Sequence, residues 1–305
     1  MNDHQKYLSS SVLAVTAFSA LLLCAPSPGL AVPLLGSDLA SFAVLGASTV
    51  TNTGATTLTG DVGVSPGSAI TGQSTLTVNG INALLNPGDV HLNDAIAISA
   101  QGQLITAMTN LGLLGPGTLT SADLVGLTLS PGVYTVPAGV SNLTGTLTLD
   151  GGGNANAAWV FQMPSTLITS PGSVVNVINT GAGAGVYWNV GSSATLDTTT
   201  SFQGNILALA SITLNHAATI GCGRALAQTA AVTMDNNTIN SIGCTGTGGE
   251  GSNGFSGGLT VPVGGGTPTF LPFSPVGGGA VPEPASLLLF GSGLAGLAAW
   301  RRRRA

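Results

Sequence analysis

Three short strings set a threonine at a regular interval: Ser193-Ala194-Thr195-Leu196-Asp197, Ser211-Ile212-Thr213-Leu214-Asn215 and Ala231-Val232-Thr233-Met234-Asp235. Thr213 follows Thr195 by 18 residues and Thr233 follows Thr213 by 20, the length of one solenoid turn. Apolar residues alternate with small polar ones, so an extended chain sends Ala194, Leu196, Ile212, Leu214, Val232 and Met234 to one side. Ser193, Thr195, Asp197, Ser211, Thr213, Asn215, Ala231, Thr233 and Asp235 then point to the other, the two carboxylates being the members least suited to an ordered water layer. Such a row can do one kind of chemistry, hydrogen bonding to water: each hydroxyl donates and accepts, and the β-branch stiffens the side chain. Stacked strands repeat at about 4.8 Å and alternate outward residues at about 6.5 to 7 Å, a grid able to hold an ordered water layer. A second row, Ser201, Thr219 and Thr238, has the same character, with Phe202, Ile220 and Ile239 directed inward. The sequence leaves open which row matters, since threonine is common on any exposed strand.

Bond-cleaving chemistry on a parallel β-solenoid needs clustered carboxylates, or calcium-binding carboxylates with a basic residue. The body's acidic residues, Asp38, Asp61, Asp89, Asp94, Asp123, Asp150, Asp197, Asp235 and Glu250, are scattered. Asp197 and Asp235 could approach through stacking, with Arg224 as the cation nearest to them in sequence. No catalytic residue, cofactor or metal site is expected. His91 and His216 have no triad partner and read as surface or capping residues. Trp159, Tyr187 and Trp188 read as packing residues.

Only 6% of the 305 residues are charged, and the net charge is -5. The cations are Lys6, Arg224 and Arg301 to Arg304, so the body lacks the Lys/Arg needed to displace counterions from phosphates. This excludes nucleic-acid binding. Abundant Val, Leu, Ile and Thr with low charge is the reverse of a disordered composition, and a β-rich body with a buried core is expected.

From Ser37 to about Cys244 short Thr/Val/Leu/Ile strands alternate with Gly, Pro, Asn and Ser. Between His91 and Leu111 the apolar residues Leu92, Ile96, Ala100, Leu104, Ala107, Met108 and Leu111 follow a helical period. One amphipathic helix cannot bury its stripe alone, so it should lie along the solenoid and cover the core there. From residue 245 to 280 the Gly/Thr/Ser/Pro-rich composition predicts a flexible linker.

Both ends read as addresses. Lys6, the apolar stretch Leu13 to Leu23 and the small-residue site Gly29-Leu30-Ala31 read as a signal peptide over residues 1–31. At the other end, over residues 281–305, Val281-Pro282-Glu283-Pro284, the apolar run Ala285 to Trp300 and four arginines form a three-part tail. It resembles the PEP-CTERM sorting signal of Gram-negative bacteria, which implies recognition of Pro282, Glu283 and Pro284 by an exosortase. It also implies membrane contact before processing, and export to the surface, the extracellular matrix or the medium. An ordinary single-pass anchor is the other reading, and it too places the body outside the cytoplasm. In an exported chain Cys222 and Cys244 are then most simply a disulfide.

Several segments of the body resemble the ice-binding protein family of the discontinuous β-solenoid type. They are Ser41-Phe42-Ala43-Val44-Leu45, Thr59-Gly60-Asp61-Val62-Gly63-Val64-Ser65-Pro66-Gly67, Leu129-Ser130-Pro131-Gly132-Val133-Tyr134, Leu143 to Asp150, Phe202 to Ala208 and Gly223 to Asp235. The resemblance implies an all-β-dominated chain folded as a right-handed parallel β-solenoid of triangular cross-section over residues 32–244, with one long α-helix, at about 91–111, packed alongside. It also implies a flat Thr/Ser-rich face that adsorbs to an ice crystal surface. The same solenoid could instead serve as a non-enzymatic spacer in a surface or matrix protein.

Overall fold

The computed structural model describes residues 31–245 and 248–277, so the leader up to Leu30 and the sorting tail lie outside the described residues. Almost every strand pairs in parallel with the strand one coil away, and three ladders run along the stack. The first holds Gly132–Thr135, Ala158–Met163, Gly185–Val190 and the C-terminal halves of Ser201–Ala208 and Thr219–Ala227. The second holds Leu167–Ile168, Ala194–Leu196, Ile212–Leu214 and Val232–Asp235. The third holds Thr146–Asn154, Val174–Thr180, the starts of Ser201–Ala208 and Thr219–Ala227, and Thr238–Asn240.

The N-terminal strands do not precede this stack; they extend its far end. Phe42–Gly46 pairs with Thr219–Ala227, Thr49–Thr53 with Val232–Asp235, and Thr56–Thr59 with Thr238–Asn240, each in parallel. A further layer follows from Asp61–Val64, Ala69–Thr71 and Leu76–Val78. The chain therefore builds one end of the solenoid first, crosses to the other end, and winds back toward its own beginning.

Alternation explains the core. In most ladder strands the inward residues are apolar and covered, as with Leu196, Leu214, Met234 and Val50, or Phe202, Ile220, Ile239 and Leu58. Phe161 and Trp188 stack at 3.9 Å between ring centroids, and Phe202 continues the column at 5.0 Å from Trp188. The corner joining the second ladder to the third repeats a left-handed residue coil after coil: Gly172, Thr199, Ala217, Asn236 and Gly54. Stacked amide bonds such as Ala217 N to Asp235 O (3.0 Å) and Asn236 N to Thr53 O (2.8 Å) hold these corners in line. Buried polar side chains satisfy the turn carbonyls inside; Asn237 Nδ2 donates to Asn215 O and Ala218 O.

The long helix spans Ala95–Gly112, starting later than the expected 91–111. Val90–Leu92 forms a strand instead, Asn93 takes a left-handed conformation, and the Asp94 carboxylate caps the helix by accepting from Ala97 N at 2.9 Å. Its stripe Ala97, Ala100, Leu104, Ala107 and Leu111 is buried against Leu45, Val160, Tyr187, Leu207 and Leu226 of the first ladder. Leu92 and Ile96, read as part of that stripe, are exposed because they precede the helix or sit at its first turn.

The expected flexible linker from 245 to 280 is corrected by the structure. Residues 248–277 form a strap with strands Leu259–Pro262 and Thr269–Phe270, the former pairing antiparallel with Ala31–Pro33. Phe255, Leu259 and Val261 are buried, and fully burying such side chains is worth about 1.5–3 kcal/mol each, enough to order a Gly-rich segment that composition alone reads as loose. The described part of the folded unit therefore runs to residue 277 rather than ending at 244.

Candidate functional site

Thr195 stands opposite Thr213, and Thr213 opposite Thr233, in unshifted register. The column continues beyond the expected set: Thr233 faces Thr51, and Thr51 faces Thr71. Five threonines on consecutive rungs thus occupy the middle of the second ladder, half-buried or exposed, above a buried layer that is apolar except for Asn52. Thr51 and Thr71 escaped the sequence reading because the N-terminal strands join the stack beside its last coil. The alternation Thr49-Val50-Thr51-Asn52-Thr53 was the available signal.

The flanks of this column are tied laterally. Ser211 Oγ donates to Ser193 Oγ at 3.0 Å, and Asn215 Nδ2 donates to Asp197 Oδ1 at 3.0 Å. The side-chain bond from Asn215, with the Thr198 amide, holds the Asp197 carboxyl below the usual carboxylate range. Asp235 lies 3.2 Å from His216 Nδ1. Each carboxylate has a different neighbour, and Asn215 lies on the rung between them, so Asp197 and Asp235 do not form a pair.

The second row also forms a column. Ser201 pairs with Thr219 and Thr219 with Thr238, and the column runs on through Thr57 to Thr77. On its other side Val174 interrupts before Thr146. This ladder is less regular: the register shifts between Phe202 and Gln203, where Gln203 opposes Cys222 instead of Gly221. An extra residue of this kind kinks a strand and raises its twist.

Cys222 and Cys244 are bonded to each other and both are buried. Arg224 is 1% exposed, and all five of its hydrogen-bond acceptors are neutral oxygens: Asn205 Oδ1 and the carbonyls of Asn253, Gly254, Ala40 and Ser241. Burial lowers its pKa to about 10, which leaves it charged at neutral pH. His91 is buried rather than on the surface, with Nδ1 2.7 Å from Asp94 Oδ2 at the helix cap. Trp159, Tyr187 and Trp188 are core residues. Among the described residues no cluster of three or more His, Cys, Asp or Glu side chains could hold a metal ion.

What this geometry offers is a straight, preorganised array of short hydroxyls and methyls. Residues 44–240 match the family model described as Ice-binding-like, and residues 280–304 match the PEP-CTERM protein-sorting motif. The chain is 46% identical over 229 residues to an ice-binding protein of Nostoc sp. (strain HG1), covering 75% of this chain and 80% of that one. It is 31% identical to an ice-binding protein of Flammulina populicola, covering 74% of this chain and 94% of the other. Among solved structures, the ice-binding protein of the Antarctic ascomycete Antarctomyces psychrotrophicus superimposes with a TM-score of 0.61 at 36% identity, covering 69% of this chain and 98% of that one. An ice-binding protein from an Antarctic biological consortium gives a TM-score of 0.57 at 38% identity, covering 68% and 91%.

Proposed function

Because the chain belongs to the ice-binding-like family, we propose that it adsorbs to ice through the column Thr195, Thr213, Thr233, Thr51 and Thr71, flanked by Ser193, Ser211 and Asn215. The observation that carries this reading is the unbroken register of five threonines on consecutive rungs. Hydroxyls anchor the ordered water layer, methyls restrict its local disorder, and the fixed χ1 states of threonine keep the grid from rearranging. Affinity sums many weak contacts on a surface that loses little entropy on binding, so the rigidity of the stacked coils matters as much as the side chains. The regular second ladder suits a lattice better than the bulged third.

The fold is read as a right-handed solenoid of triangular section, supported by three ladders per coil and by the handedness preferred in parallel crossovers. The matched sorting motif supports export and exosortase processing at the tail, with the body acting outside the cytoplasm of a Gram-negative cell. There it curbs ice growth and recrystallisation. Inhibition of ice recrystallisation by the oxidised folded domain, residues 32–277, tests the proposal; grains that coarsen at the rate seen in buffer contradict it.

A further inference from the structure

The strap over residues 248–277 is unused by the adsorbing column, yet it is fastened with care. Cys244, at its root, is bonded to Cys222 in the coil and exchanges backbone bonds with the strap through Ser252 O and Gly251 N. Phe255 is fully buried, and its carbonyl accepts from Asn205 Nδ2 at 2.8 Å and Val186 N at 2.9 Å. Arg224 grips the carbonyls of Asn253 and Gly254 while also holding Ala40 O and Ser241 O. The strap ends against one corner of the coils: Ala155 N donates to Ser274 O (2.6 Å), Ser274 N to Asn154 Oδ1 (3.0 Å) and Val276 N to Gly153 O (2.9 Å).

That corner joins Thr146–Asn154 of the third ladder to Ala158–Met163 of the first. The threonine ladder is the one ladder that does not border it. Four residues lie between Gly277 and Pro282 of the sorting motif, so the five steps reach no more than about 18 Å in any conformation. The strap carries no charged residue from Gly251 to Gly277. It exposes large apolar side chains instead: Val263 at 63%, Phe270 at 41%, Phe273 at 66% and Val276 at 50%.

We propose that the strap is a membrane-facing mount, which seats its exposed apolar side chains on the lipid surface entered by the tail and turns the threonine column away from that surface. Binding at the boundary between headgroups and acyl chains grows with the apolar area buried there, and the short connection to the tail keeps this segment within reach. The inference rests on the tail being membrane-inserting before processing and on the threonine column being the adsorbing face.

The test uses the exported chain without its leader, residues 32–305, floated with phosphatidylcholine vesicles that contain an acceptor-labelled lipid. A donor dye is placed at Ser274→Cys in one preparation and at Thr233→Cys in another. Energy transfer several-fold stronger from position 274 is expected. Adding Phe270→Ser and Phe273→Ser should bring transfer at position 274 toward the level at 233 while the chain still floats. Equal transfer from the two positions, or stronger transfer from 233, overturns the mount with the tail intact. Loss of flotation by the chain 32–305 overturns it at the tail. No ice is needed for the readout, so a failure of ice adsorption would register separately.

Discussion

Thr233 and Thr51 face each other across neighbouring parallel strands although they stand 182 positions apart in sequence. The ladder that joins them is assembled from both ends of the domain, so the column proposed to adsorb to ice forms only when the N-terminal strands have docked on the last coil.

Thr51→Tyr is therefore expected to abolish ice adsorption as completely as Thr233→Tyr. Both side chains point outward, and surface substitutions of this kind change stability by about 0.5 kcal/mol or less. Ice partitioning and urea denaturation of the two variants check this together; an inert Thr51→Tyr would restrict the site to the C-terminal coils.

Arg224→Met leaves the carbonyls of Ala40, Ser241, Asn253 and Gly254 without their donor in a dry site. Leaving a buried acceptor without its donor costs about 1–3 kcal/mol per group. Urea denaturation should show that loss, and hydrogen exchange should show the amides of 248–277 opening first. A variant as stable as the parent would mean that the guanidinium is dispensable.

Opening the Cys222–Cys244 bridge by Cys222→Ala with Cys244→Ala releases a loop whose ends are 22 residues apart. The chain-entropy relation gives about 3 kcal/mol for a loop of this size. At about 2–4 °C per kcal/mol for a domain of this length, the melting temperature should fall by roughly 6–12 °C. Thermal unfolding followed by circular dichroism measures it.

Asp94 carries a pH prediction. Burial raises its pKa, but the Ala97 amide, the His91 imidazole and the Ile96 amide outweigh this, and the net shift is downward from 3.8. A carboxyl with a lowered folded-state pKa stabilises while it is ionised; that contribution is present above the unfolded value and is lost as pH falls through the folded one. Stability should decline below about pH 4, in part through release of this helix cap. Asp94→Ala should cost about 1 kcal/mol at neutral pH, whereas Asp94→Asn should keep the cap and flatten the acid dependence. Urea midpoints between pH 3 and 7 distinguish the three proteins.

Much of this was legible in the sequence because period and alternation are local. The steps from Thr195 to Thr213 and Thr233 announced the coil length, and the register of those three residues followed. Thr51 and Thr71 were not legible, because a parallel ladder closed by a long connection leaves no local trace of which strands become neighbours. The strap was hidden for another reason. Its glycines and prolines dominate the composition, while three apolar anchors, Phe255, Leu259 and Val261, decide its order once the coil and helix give them cover. Likewise, Arg224 is the body's lone cation in sequence, and only the convergence of carbonyls from distant segments reveals its grip.

Ice-affinity partitioning of the oxidised domain 32–277, run beside its Thr213→Tyr and Thr238→Tyr variants, bears most directly on the adsorbing column. The parent and Thr238→Tyr should concentrate in the ice while Thr213→Tyr stays in the liquid. Retention of Thr213→Tyr in the ice, with its fold intact by circular dichroism, would contradict the assignment of the threonine column as the adsorbing face.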